Sequence, residues 1–87
     1  MSYKKLTPVA VISSFDSEGN IKPLYFRYKN ERIQVSTKMC ISQMHDIIFS
    51  CEYMIEYDNA VRTIGLLYKT DKHKWFIITR LIISFSK

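Results

Sequence analysis

Glycine and proline are scarce in this chain, two of each in 87 residues. Two glycines cannot make a Gly-rich phosphate-binding loop, and nothing in the sequence resembles one. Cysteine is equally sparse. Cys40 and Cys51 are too few for a disulfide framework and read as reduced thiols of a cytoplasmic protein. No apolar run reaches the roughly 18 residues that cross a bilayer. The nearest approach, WFIITRLIISF from Trp75, is interrupted by Arg80. The first fifteen residues carry no signal-peptide core or small-residue cleavage site. Acidic residues are the minority charge, eight against thirteen Lys and Arg, leaving +5. That excess makes nucleic acid or another anionic surface a candidate partner class.

What is present is alternation. Most of the chain reads with period two, the signature of strands with one buried face. The expected strands run over residues 8–15, 21–29, 32–36, 46–57, 60–69 and 74–83. Asp16-Ser17-Glu18-Gly19-Asn20, Lys29–Arg32, Asp58-Asn59 and Thr70–His73 supply the turns between them. The pattern from Asp46 onward is the cleanest, with Ile47, Phe49, Cys51 and Tyr53 on one face and Ser50 and Glu52 on the other. Pro23 cannot donate to a ladder, so its end of the second strand is an edge or a bulge. Gly65 marks a bulge or a close backbone approach. Residues 37–45 break the pattern and read as a loop, an irregular strand start or a short helical turn.

Six antiparallel strands joined by short turns must hide one apolar face. The expectation is a single all-β domain over residues 1–87, a small antiparallel meander barrel of about six strands, SH3-like or similar. Its core should hold Phe26, Phe49, Cys51, Tyr53, Leu66 and Trp75, with Leu24 and Tyr28 beside Phe26. Val9, Val11 and Phe15 should share one face of the first strand.

Two stretches carry a resemblance. VISSFDSEGNIKPLYFRY (Val11–Tyr28) and GLLYKTDKHKWFI (Gly65–Ile77) resemble the signature segments of a group of small proteins from low-GC Gram-positive bacteria. That group opens with S-F-D-x-x-G-x-I-x-P-x-x-F-x-Y and closes with a K-W strand. Ser14, Phe15, Asp16, Gly19, Ile21, Pro23, Phe26 and Tyr28 match the first pattern, and Lys74, Trp75 and Ile77 the second. The resemblance implies a shared fold and a bacterial, cytoplasmic setting. The group has no known activity to carry over.

Catalysis finds little support. Cys40, His45, Cys51 and His73 are the residues that could form a metal or nucleophilic site. Their spacing fits no zinc pattern, in which paired ligands stand two to four residues apart. Glu52 and Glu56 share a face but lie about 13 Å apart along a strand, too far to act as a carboxylate pair. No enzyme activity, metal, cofactor or small-molecule substrate is expected.

Two contact readings remain. Tyr25, Arg27 and Lys29, with Arg62 and Arg80, offer aromatic and basic groups of the kind that hold single-stranded nucleic acid. The other reading is protein–protein contact, as a homodimer or an adaptor. The strands around Tyr25 and Ile78 are apolar on both faces, and one barrel interior cannot hold both sets. The surplus needs cover from residues 37–45, from the N-terminal segment or from another chain.

Overall fold

The turns fix the strand order. In the computed structural model, which describes residues 4–54 and 59–80, the hairpin at Lys29-Asn30 has both φ angles positive, 50° and 66°. That is the two-residue geometry that matches strand twist. At Asp16–Asn20 the Asp16 carboxylate accepts the backbone N–H groups of Glu18 and Asn20, each at 2.9 Å, and the Asn20 side-chain amide at 3.1 Å. These donors, Asn20's backbone N–H first, hold the Asp16 carboxyl below its ordinary 3.8. Gly19 closes this turn at φ 86°. The Lys69–His73 turn closes through the His73 N–H on the Lys69 carbonyl at 2.8 Å.

Seven antiparallel strands result: β1 (Lys4–Pro8), β2 (Val11–Phe15), β3 (Ile21–Tyr28), β4 (Glu31–Gln43), β5 (Asp46–Met54), β6 (Val61–Lys69) and β7 (Lys74–Arg80). Their order across the sheet is β1-β7-β6-β5-β4-β3-β2. β1 and β2 lie at opposite ends of that order, yet only Val9 and Ala10 separate them in the chain. The sheet must therefore curl until its ends meet, and it forms a barrel-like fold. At the seam the Val9 N–H donates to the Trp75 carbonyl at 3.1 Å, and the Arg27 N–H donates to the Ala10 carbonyl at 3.0 Å. One extended segment thus pairs first with β7 and then with β3.

Of the readings of residues 37–45, the irregular strand is the one the structure shows, with a turn at Met44-His45. There is no helical turn. Thr37–Gln43 is the second half of β4 and pairs with β5 from Val35↔Tyr53 to Gln43↔Asp46. A register shift between Thr37 and Met39 explains the broken pattern, because one extra residue turns the alternation over. Ile33, Val35 and Thr37 face inward before it; Cys40, opposite Phe49, takes the inner side after it. The β3 irregularity falls at Pro23. Ile12 pairs with Tyr25 and Ser13 with Pro23, so Leu24 is the unpaired bulge residue. The segments expected as strand at 55–57 and 81–83, and Asp58 of the turn pair, lie outside the described residues.

The core comprises Phe26, Val35, Phe49, Cys51, Leu66 and Tyr68, with Tyr53 and Trp75 packed partly buried against it. Phe26 meets Tyr53 edge to face, ring centroids 5.4 Å apart. Trp75 lies tilted against Phe49 at 5.6 Å and Tyr68 at 5.0 Å. The buried Tyr68 hydroxyl finds its partner in His73 Nδ1 at 3.1 Å. Tyr28 and Phe15 do not join them. Each ends its strand beside a turn, and both are exposed. The Lys29 ammonium sits 5.4 Å over the Tyr28 ring instead.

Candidate functional site

The inner face uses Ile64, Leu66 and Tyr68 of β6, so Gly65 and Leu67 point the other way. Leu67 is nevertheless 5% exposed, and it stands outside the core cluster. The register shows its neighbours. Ile41, Ile48, Leu67, Phe76 and Pro8 stand directly opposite one another across β4, β5, β6, β7 and β1. One step along the same face lie Met39, Ser50, Gly65, Ile78 and Leu6. Met39, Ile41 and Leu6 are exposed; Ile48, Phe76 and Ile78 are half-buried. In that second row a Cβ at Gly65 would lie 3.4 Å from Ile78 Cβ. Gly65 marks neither of the features expected there: the contact is an ordinary one, and the ladders on both sides of it run without a shift.

These rows are the surplus apolar face. Of its expected internal covers, residues 37–43 lie in the sheet and add Met39 and Ile41 to the face. The N-terminal segment forms β1 and adds Leu6. Among the described residues both candidates extend the face. Charges begin only at its borders: Lys69 pairs with Asp46 at 3.0 Å beside Lys74, and Lys38 with Glu52 at 3.9 Å.

The basic and aromatic residues divide. Tyr25 and Arg27 share the outer face of β3, and Lys29 follows in the turn. Arg32 of β4 joins them. It stands directly opposite Arg27, and its guanidinium carbon lies 5.6 Å from the Tyr25 ring centroid. The sequence held a signal for Arg32, since a two-residue turn at Lys29-Asn30 sets Arg27 against it. Arg62 lies three strands from β3, opposite Tyr53 on β6, with the inward alternation of Ile64 and Leu66. Arg80 ends β7 opposite Lys4, and its side chain lies outside the described ones. Tyr25, Arg27 and Arg32 thus form one patch, and Arg62 and Arg80 stand away from it.

Neither cysteine is paired; Cys40 is exposed and Cys51 buried. Burial pushes the Cys51 thiol above its ordinary 9.0, against the smaller effect of Thr37 Oγ1 at 3.7 Å. A raised thiol pKa works against nucleophilic chemistry. Among the described residues no three His, Cys, Asp or Glu side chains converge on a common point. A groove of about 720 Å³ lies over β3, β4 and β5, lined by Leu24, Gln34, Val35, Thr37, Glu52 and Tyr53 among others. Its acid, Glu52, faces Lys38. Among the described residues no helix is long and apolar enough to cross a membrane.

No protein-family model, curated protein or solved structure matches the chain.

Proposed function

We propose that the chain is a non-enzymatic cytoplasmic contact module whose partner is a second copy of itself, docked through the outer face of β1, β7, β6, β5 and β4. One observation carries this reading: among the described residues, the two segments expected to cover the apolar rows lie in the sheet and lengthen those rows.

The face is also self-complementary. A two-fold axis parallel to β6 exchanges β5 with β7 and β4 with β1. Leu67 then meets its own copy, Ile48 meets Phe76, and Ile41 meets Pro8. At the border the same operation carries Lys74 of the second copy toward Asp46. Isologous contact of this kind is the commonest route to a small homodimer, and face-to-face sheets pack about 10 Å apart.

Five strands at roughly 4.8 Å spacing span about 19 Å, and two rows about 7 Å apart cover about 14 Å along the strands, so the patch is on the order of 300 Å², well below the roughly 800 Å² per partner of a standard interface. The dimer is accordingly weak, with a dissociation constant at or above about 1 µM. Sedimentation velocity from micromolar to near-millimolar chain tests this. A sedimentation coefficient that rises with concentration supports it, and a monomer at every concentration contradicts it. If the face serves a different protein, the chain stays monomeric, and Ile41→Lys does not alter its sedimentation.

A further inference from the structure

We infer that the outer face of β2, β3 and β4 is a second site, which binds single-stranded nucleic acid through Arg27, Arg32 and Tyr25. Arg27 and Arg32 are direct cross-strand partners. Like charges in that position repel. No ion pair among the described residues relieves them, and both are exposed. Glu31, next along β4, points to the other face by alternation and stands opposite Tyr28. Among the described residues the fold therefore keeps two arginines as cross-strand neighbours with no carboxylate paired to either. A phosphodiester would relieve that repulsion.

The surroundings favour a nucleic acid strand over a lone anion. The Arg32 guanidinium carbon lies 5.6 Å from the centroid of the half-buried Tyr25 ring, which sets a planar cation beside an aromatic side chain. Unstacked bases stack on such planes. Beside it, Ile12, Tyr25, Arg27 and Arg32 border a depression of about 110 Å³ that reaches Ala10 at the seam. Ile12 is 46% exposed there and adds apolar contact. Lys22, near the start of β3, is a further exposed cation on this strand. A strand of bases alternating with phosphates fits that order of groups. An acidic peptide would use the arginines and leave the stacking plane idle.

The test is fluorescence anisotropy of the intact chain with a labelled single-stranded oligonucleotide, repeated from 25 to 300 mM salt. Wild type should bind at low salt. Arg27→Ala with Arg32→Ala should flatten the log–log salt dependence by about 1.4, two contacts at roughly 0.7 each. Tyr25→Ala should weaken binding at least five-fold while leaving that slope nearly unchanged. Circular dichroism confirms that each variant is folded. No wild-type binding at 25 mM salt overturns the inference. So does an unchanged slope in the folded double variant, or equal competition by a poly-glutamate peptide at matched charge. Because this face lies apart from the apolar rows, Phe76→Ser should leave oligonucleotide binding intact, and the dimer can fail without affecting this result.

Discussion

Ile78 of β7 packs over Gly65 of β6, and a Cβ added to Gly65 would stop 3.4 Å from Ile78 Cβ. That distance is an ordinary contact, and the backbone at Gly65 needs no positive φ. Gly65→Ala should therefore fit and stabilise the protein by about 0.4–1 kcal/mol, by removing unfolded-chain freedom. Gly19 is the opposite case. It has open space around it but φ of 86°, so Gly19→Ala should cost about 1 kcal/mol through backbone strain alone. Urea unfolding of the two variants checks the contrast.

Phe26 and Arg27 are neighbours on β3 with opposite roles. Phe26 is 3% exposed against Tyr53, whereas Arg27 faces outward against Arg32. Phe26→Ala should cost about 3–5 kcal/mol, much of the stability of a domain this size. Arg27→Ala should stay within about 0.5 kcal/mol, on the stabilising side at low salt because it removes a like-charge pair. Thermal unfolding at two salt concentrations separates these outcomes.

Cys51 ties stability to alkaline pH. Its thiol is raised above 9.0 by burial, so below pH 9 both folded and unfolded chains keep the proton and it contributes no pH dependence. As pH rises past 9.0 the unfolded chain ionises first. The folded state then loses stability by up to about 1.4 kcal/mol per pH unit from this group. Cys51→Ala should remove that part of the slope. In thiol titration at neutral pH, exposed Cys40 should react promptly and Cys51 only on unfolding.

Much of this architecture was legible in the sequence, for identifiable reasons. The Asp46–Met54 alternation survives because β5 runs between two neighbours without a bulge of its own. The Asp16–Asn20 and Lys29-Asn30 turns declare themselves by residue type. Residues 37–43 did not, since the shift at Lys38 inverts which positions face inward, and a fixed period reads that as noise. β1 was also missed. Its strand character comes from pairing with β7 across the whole chain, a partnership that Lys4–Pro8 alone does not encode. The alternation of Tyr25 against Phe26 was plain, but which cations converge is a matter of register. Register brought in Arg32 and left Arg62 aside.

The apolar rows follow the same logic: Ile41, Ile48, Leu67 and Phe76 are unremarkable singly and become a surface only when three ladders align them. The measurement that tests their role most directly is an isotope-filtered NOE experiment on a mixture of carbon-13-labelled and unlabelled chain at near-millimolar concentration. Within one chain Ile48 and Phe76 are two strands apart, about 9–10 Å. The proposed dimer places Ile48 methyls of one copy against the Phe76 ring of the other and should give intermolecular cross-peaks between them, with Leu67 touching its own counterpart. Absence of intermolecular cross-peaks, or cross-peaks confined to residues of β2 and β3, would contradict it.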